Sequence, residues 1–310
     1  MNATSFAGIP KRVKVCEVGP RDGLQNEAVT VGTSDKIRYI DMLSAAGLAM
    51  IEATSFVSPK AIPQLADADA VFSRIAKRPG VTYLALVPNH KGFERARACG
   101  VSAIAVFTAA SQTFTKRNIN MTIEESIATF ADVVRTARSE SIWVRGYIST
   151  SFGCPFEGDV PVENVVSVAD RLAEMGVDEL SIGDTIGVGT PDQVVALAGA
   201  LQERLPVERL AMHFHDTRGT ALANVTAALQ MGITTFDASS GGLGGCPYAP
   251  GASGNLSTED LLYFLHHMKI ETGVDLDKVR EATAFISRAL GHAPNSRVYA
   301  ALAAADQNGA

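Results

Sequence analysis

The stretch that decides the fold runs from Asp178 to His215, with the segments DELSIGD (178–184), TPDQVVALAGALQERL (190–205) and RLAMHFH (209–215). The first and last segments are short and are read as strands that end in polar residues. The middle segment is longer and repeats its apolar residues at intervals of three and four, which predicts an amphipathic helix. Strand, helix and strand in succession predict a β/α/β unit with parallel strands.

The same alternation extends over most of the chain. The strand candidates, in chain order, are RVKVCEV, LAMIEAT, TYLALV, SAIAVF, IWVRGYIS, DELSIGD, RLAMHFH and ITTFDAS. The helix-like segments between them include TSDKIRYIDMLSAAG, TIEESIATFADVVRTARSE and PVENVVSVADRLAEMG. Several of these segments end in a glycine that is typical of a helix C-terminus, namely Gly47, Gly100, Gly176 and Gly232.

Eight alternating units in roughly 240 residues favour a closed (β/α)8 TIM barrel over an open sheet. An open doubly wound sheet would more often carry a phosphate-binding glycine signature after its first strand, and EVGPRDGLQNE is not one. We therefore predict an α/β fold in one catalytic domain, residues 1–310. The barrel is expected at about 13–255 and a helical tail at about 256–310.

Composition excludes several classes of partner. The net charge of −6 and the lack of a long basic run argue against nucleic acid and anionic membranes. No apolar stretch reaches the ~18 residues of a membrane span. The start of the chain lacks the apolar region of a secretory signal, so we expect a cytoplasmic protein. The cysteines Cys16, Cys99, Cys154 and Cys246 lack metal-finger spacing and are expected to be reduced thiols.

Polar residues gather at the ends of the predicted strands. In parallel barrels the chemistry lies at the C-terminal ends of the strands and in the loops that follow them. This rule selects Arg21, Asp22, Glu52, Asp184, His213, His215, Cys246 and Asn255.

The pair of histidines predicts a metal site. His213 and His215 stand two residues apart near a strand end, so both side chains project to the same face. With Asp22 from across the barrel they can hold one divalent cation, and Asn255 is expected at the same rim. Nitrogen, carboxylate and amide ligands suit Mg²⁺ or Mn²⁺ and leave Zn²⁺, Co²⁺ and Fe²⁺ open. The alternative is that both histidines are hydrogen-bonded residues of the barrel wall.

Arg21 has two interpretations. A guanidinium beside a metal suits an enolate or carboxylate oxygen, but Arg21 can equally form a structural ion pair with Asp22. Glu52 and Asp184 are interpreted as supports for Arg21 or a histidine rather than as catalytic groups.

Cys246 is the candidate thiol. It follows the segment GGLGG, which predicts a loop able to close over a substrate. Burial as a small packing residue is the alternative, and Cys154 in SFGCPFEGD is a rival thiol.

These residues resemble the hydroxymethylglutaryl-CoA lyase family, within a larger group of metal-dependent barrel lyases and Claisen-type synthases. The matching stretches are EVGPRDGLQNE, IEATSFVSPK, KRNINMTIEES, RGYISTSFGCPFEG, SIGDTIGVGTP, HFHDTRG, ALQMG and GGLGGCPYAPGASGNLSTEDL. RDG and H-x-H indicate only the larger group, whereas GGLGGCPYAPGASGN is specific to the lyase.

The resemblance implies cleavage of 3-hydroxy-3-methylglutaryl-CoA to acetyl-CoA and acetoacetate, with a divalent metal that acidifies the substrate hydroxyl. An imidazole or Asp22 can accept the hydroxyl proton, and we favour His213 acting with Asp22, which requires the ring to detach from the metal. Cys246 or a nearby water then protonates the enolate. The implied site consists of metal ligands Asp22, His213, His215 and Asn255, catalytic Cys246, substrate contacts Arg21 and Gln25, and supporting Glu52 and Asp184.

Two departures leave alternatives open. Arg218 stands where a tyrosine is expected in the animal enzymes, and STSFGCPF differs around the loop after the fifth strand. A larger 3-hydroxyacyl-CoA is therefore an alternative substrate, and a Claisen-type synthase of the same group is an alternative enzyme. A barrel that senses a metal or acyl-CoA without catalysis is a third reading. We expect an acyl-CoA partner and a homodimer.

Overall fold

A closed barrel of eight parallel strands forms the centre of the protein. The computed structural model describes residues 8–245 and 254–308. Each strand pairs with its neighbour in chain order, and the first strand pairs with the last. The strands are β1 Lys14–Glu17, β2 Met50–Ser55, β3 Thr82–Leu86, β4 Ala103–Ala109, β5 Trp143–Ser149, β6 Glu179–Asp184, β7 Leu210–Phe214 and β8 Thr235–Ala238. The predicted TIM barrel is confirmed, with each strand inside its predicted segment or extending beyond it by at most two residues.

Helices connect the strands, and in the described chain three more follow the last strand. They are α1 Thr33–Ala45, α2 Ala68–Arg74, α3 His90–Ala98, α4 Gln112–Ile119, α5 Ile123–Ser139, α6 Val162–Glu174, α7 Pro191–Gln202, α8 Ala221–Gln230, α9 Thr258–His267, α10 Leu276–Leu290 and α11 Arg297–Asn308. The long helix α5 begins with a capping box, in which Thr122 accepts from the Glu125 N–H and Glu125 accepts from the Thr122 N–H.

The glycines predicted to follow helices adopt the left-handed conformation. Gly47 has a φ of +95° and Gly176 a φ of +91°, values that other residues rarely adopt. A side chain at Gly47 would also overlap the carbonyl group of Gly273. Both positions therefore require glycine to turn the chain into the next strand.

The main apolar core lies between the strands and the helices. Outward residues of the strands, such as Val144, Ile182, Met212 and Phe236, are fully buried and belong to this core. Burying such side chains contributes roughly 1.5–3 kcal/mol each. The core fixes the barrel, and the strand ends then become a rigid frame for the loops.

One half of the barrel interior is apolar and the other half is charged. Apolar side chains from β1 to β4 fill one half. The other half carries a row of charges, of which only Lys14 at one end is partly exposed: Lys14 pairs with Glu179, Glu179 with Arg145, and Arg145 with Asp237. Arg145 is fully buried and its Nη1 lies 2.7 Å from Asp237 Oδ1. We refer to Lys14, Glu179, Arg145 and Asp237 as the charge row.

The C-terminal helices pack onto the barrel, and the expected helical tail is present. Leu261, Leu262 and Leu265 of α9 join the main core. The segment before α9 is tied to the end of β7, because the Leu256 N–H donates to the Phe214 carbonyl at 3.0 Å. In the described part of the chain, no helix has the length and apolar character needed to cross a membrane.

Candidate active site

Arg21 and Asp22 lie on a short π-helical turn, Gly19–Gly23, directly after β1. The Val18 carbonyl accepts hydrogen bonds from the N–H groups of Arg21, Asp22 and Gly23 at 3.1, 2.8 and 3.2 Å. This wide turn places both side chains at the C-terminal end of the barrel, as predicted.

Glu17 fixes this turn from behind. Its Oε1 accepts from the N–H groups of Gly19 at 2.9 Å and Ser240 at 2.8 Å, and its Oε2 accepts from the Thr258 hydroxyl at 2.7 Å. Burial raises the pKa of Glu17 to about 7, against the opposing effect of these hydrogen bonds. One buried carboxyl thus joins the turn after β1, the loop after β8 and the start of α9.

Asp22, His213 and His215 converge as predicted. One donor atom from each lies within 4.8 Å of the other two. His213 projects inward from β7, and His215 follows one residue after the strand in a bridge with Asn255. The Asn255 Nδ2 donates to Asp22 Oδ2 at 2.8 Å and to the Leu243 carbonyl at 3.0 Å. All four predicted ligands therefore lie at one place on the barrel rim.

The chemistry of this cluster fits a divalent cation. Among the described residues, the buried atoms His215 Nδ1 and Asn255 Oδ1 have no hydrogen-bond partner. Burial and the neighbouring His213 lower the pKa of His215 to about 3, which keeps its ring neutral. Burial alone would raise the pKa of Asp22, but Arg21 and the two histidines lower it to about 2. Neutral imidazole and ionised carboxylate are the forms that bind a metal.

Arg21 is held between two carboxylates. Its Nη1 lies 2.6 Å from Asp22 Oδ1 and its Nη2 lies 2.8 Å from Glu52 Oε2. Burial alone would lower the pKa of Arg21, but the charges of Glu52 and Asp22 raise it, so the guanidinium stays charged. The Tyr147 hydroxyl donates to the same Glu52 oxygen at 3.1 Å. Glu52 therefore contacts Arg21, and its supporting role stays a prediction.

Asp184 supports a loop. Its two oxygens accept from the N–H groups of Val188 and Gly189, both at 2.9 Å. Burial raises its pKa, against these two hydrogen bonds. The guanidinium of Arg218 donates to the carbonyls of Ile186 at 2.8 Å and Gly187 at 3.0 Å, so Arg218 also holds the loop after β6.

Two predicted residues remain without a structural role. Gln25 is half-buried just after the turn that carries Arg21, and its contact with substrate stays a prediction. Cys246 lies outside the described residues. Its rival Cys154 is buried, with its sulfur 3.0 Å from the Ser111 hydroxyl.

Sequence reasoning missed Asp237. His213 Nδ1 lies 3.2 Å from Asp237 Oδ2, within hydrogen-bond distance. Burial alone would lower the pKa of His213, but Asp237 and then Asp22 raise it overall. The sequence signal for this residue was its place as the one acidic residue of the predicted strand ITTFDAS, at an inward position.

Comparisons with known proteins identify the family of the chain. The HMGL-like family model matches residues 12–286. Hydroxymethylglutaryl-CoA lyase from Gallus gallus is 54% identical over 93% of this chain and 97% of its own. The crystal structure of hydroxymethylglutaryl-CoA lyase from Pseudomonas aeruginosa has a TM-score of 0.94 and 53% identity, covering 96% of this chain and 99% of its own.

A third relative was solved with ligands. It is an HMG-CoA lyase from Acinetobacter baumannii in complex with coenzyme A and 3-methylmalate, with a TM-score of 0.89 and 40% identity, covering 96% of both chains. The chain therefore belongs to the HMGL-like family, with hydroxymethylglutaryl-CoA lyases as its relatives.

Proposed function

We propose that this chain is a carbon–carbon lyase that cleaves 3-hydroxy-3-methylglutaryl-CoA into acetyl-CoA and acetoacetate. The observation that carries the proposal is the convergence of Asp22, His213 and His215 beside the buried cation of Arg21. Lyases of this specificity that match more than nine-tenths of the chain support it.

Asp22, His213, His215 and Asn255 would hold a divalent metal, with Mg²⁺ or Mn²⁺ as the proposed ion. When bound, such an ion supplies Lewis acidity that lowers the pKa of the substrate's tertiary hydroxyl. The pairing of two imidazoles with carboxylate and amide oxygen supports an ion of this class.

The reaction consists of two proton transfers and the breaking of one carbon–carbon bond. The hydroxyl at C3 loses its proton, the bond between C3 and the α-carbon of the thioester breaks, and the released enolate gains a proton at carbon. His213, acting with Asp22, is the proposed acceptor of the first proton, and its ring must leave the metal to accept that proton on Nε2. Cys246, or a water, is the proposed donor of the second proton.

Arg21 binds the reacting oxygens of the substrate. Its guanidinium is charged, buried and fixed by Glu52 and Asp22, so it can offset negative charge that develops on the enolate without reorganising. Asp184 holds the loop that follows β6, and Gln25 adds a further substrate contact. The barrel and its C-terminal helices would act as one catalytic domain.

An acyl-CoA substrate is supported by the relative that was solved with coenzyme A. A larger 3-hydroxyacyl-CoA is the alternative substrate, and the specificity of the relatives does not favour it. A homodimer and a cytoplasmic location belong to the same proposal.

The test is acetoacetate formation from 3-hydroxy-3-methylglutaryl-CoA with Mg²⁺ or Mn²⁺. We expect activity in the wild type, near-complete loss in His213→Ala, and retention in His90→Ala, which alters an exposed histidine on α3. Equal rates in wild type and His213→Ala would refute the proposed site. Consumption of acetyl-CoA with a 2-oxo acid would instead favour a synthase, and binding without any product would favour a sensor.

A further inference from the structure

Asp237 is enclosed by partners on three strands. It is 2% exposed and lies opposite His213 in the register of β7 and β8. Its Oδ2 lies 3.2 Å from His213 Nδ1 and accepts from the Ser181 hydroxyl at 2.8 Å. Its Oδ1 lies 2.7 Å from Arg145 Nη1. The carboxylate therefore has no freedom to turn away from the histidine.

The charge row explains why Asp237 stays in place. Arg145 is itself fixed by Glu179, with Nε 2.9 Å from Oε1, and by the Tyr147 hydroxyl, 3.0 Å from Nη1. Glu179 in turn pairs with Lys14 at 2.9 Å. Two cations and two carboxylates make the charge row neutral. Arg145 therefore offsets the negative charge of Asp237 on one side, and His213 contacts Asp237 on the other.

A neutral imidazole carries one proton, which lies on either ring nitrogen. When a carboxylate accepts the proton of Nδ1, the lone pair is left on Nε2. Only a ring nitrogen with a free lone pair can bind a metal ion. The partner of Nδ1 thus decides which atom of His213 faces the cluster with Asp22 and His215.

We propose that Asp237 is a positioning residue, which holds the proton of His213 on Nδ1 and so presents Nε2 to the divalent cation. This inference rests on the proposed function, since it concerns the same metal site. Asp237 does not touch substrate in this account and acts only through His213.

Replacement by asparagine gives a sharp test. In Asp237→Asn the amide oxygen is drawn to the Arg145 cation, which turns the amide NH₂ toward His213. That NH₂ can only donate, so the ring must accept at Nδ1 and carry its proton on Nε2, the wrong tautomer for binding. An equivalent carboxylate-to-amide change beside a catalytic histidine of a serine protease has this effect on the tautomer.

The matched control is Glu179→Gln. It makes the same chemical change to the other carboxylate of Arg145 and does not touch His213. Any general weakening of the charge row would affect both variants, whereas loss of the correct tautomer would occur only in Asp237→Asn.

The first measurement is binding of Mn²⁺ to the purified full chain, followed by the electron paramagnetic resonance signal of free Mn²⁺. We expect affinity to fall about 10- to 100-fold in Asp237→Asn. Affinity in Glu179→Gln should stay near the wild-type value. Equal loss in both variants, or no loss in Asp237→Asn, would overturn the positioning role.

The second measurement is the ¹⁵N NMR spectrum of the imidazoles in metal-free protein at alkaline pH. The proton of His213 should lie on Nδ1 in wild type and on Nε2 in Asp237→Asn. A wild-type ring protonated on Nε2 overturns the inference even if the variant does not fold. A wild type that binds no Mn²⁺ would instead refute the proposed metal dependence, which separates the two failures.

Discussion

The side chain of Asn255 donates a hydrogen bond of 2.8 Å to Asp22, although 233 positions separate the two residues in the chain. The bond joins the loop after β8 to the turn after β1, across the seam where the barrel closes. Asn255 Oδ1 has no hydrogen-bond partner among the described residues. The bond therefore orients one proposed metal ligand with the side chain of another.

Gly244 leaves room for the hydrogen bond between Asn255 and Asp22, and Gly244→Ala should break that bond. Gly244 has a φ of +99°, and a Cβ there would lie 2.6 Å from Asn255 Nδ2 and 3.1 Å from the Asp22 carbonyl. We expect Mn²⁺ affinity to fall about 10-fold or more, measured by electron paramagnetic resonance. Gly80→Ala is the control, since Gly80 has a φ of +81° with open space around it. Similar affinity in the two variants would mean that the crowding of Asn255 is unimportant.

Glu52→Gln should reduce catalysis by disturbing Arg21. The variant keeps the size of the side chain but removes the charge that lies 2.8 Å from Arg21 Nη2. A hydrogen bond to a charged group contributes about 1.5–3 kcal/mol, so we expect kcat to fall about 10- to 100-fold. Glu124→Gln breaks an exposed pair with Arg171 and should leave kcat unchanged. An unchanged kcat in Glu52→Gln would show that Arg21 does not depend on this carboxylate.

Removal of metal should abolish activity and lower stability. Chelation should stop acetoacetate formation, and added Mn²⁺ should restore it. A ligand at 100 times its Kd stabilises the folded state by about 2.7 kcal/mol, which a thermal unfolding curve detects. His215 Nδ1 is buried and has no hydrogen-bond partner among the described residues. His215→Ala removes this proposed ligand, so the unfolding temperature of the variant should not respond to Mn²⁺. Equal stabilisation of wild type and variant would place the ion elsewhere.

Glu17 should make metal-free stability decrease as pH rises. Its pKa is raised by burial from 4.5 to about 7, so between these values the folded chain retains a proton that the unfolded chain has lost. Unfolding then releases a proton, and the free energy of unfolding should fall by about 3 kcal/mol across this window. Urea unfolding of Glu17→Gln should show a shallower slope with pH. The exposed variant Glu163→Gln should keep the wild-type slope, and an unaltered slope in Glu17→Gln would contradict the assignment.

The sequence predicts the barrel and its rim well because both follow from local rules. Strand and helix periods place the eight strands, and the rule that chemistry lies at strand ends then selects Asp22, His213, His215 and Asn255. Asp184 shows the limit of that rule. It lies three residues after the inward Ser181, so it projects to the opposite face of β6 and binds the backbone of the following loop. Strand parity alone would have predicted this difference.

Arg145 and Asp237 could not be paired from the sequence. Each is a single charge within a short, mostly apolar strand, and their strands are not neighbours in the barrel. Their contact depends on barrel closure and on the stagger between strands, which periodicity does not specify. The alignment of His213 with Asp237 likewise depends on the register between β7 and β8.

Gly244 and Gly254 meet so closely that a Cβ on Gly254 would overlap the Gly244 carbonyl oxygen. The chain thus leaves the barrel rim and returns to it at nearly the same point, with Cys246 in the interval. Lengthening a loop whose ends already meet changes the closure entropy only slowly. Because Gly244 and Gly254 already lie in contact, an insertion between them would not have to displace the strands beneath, so substrate range could diverge there while the barrel is kept.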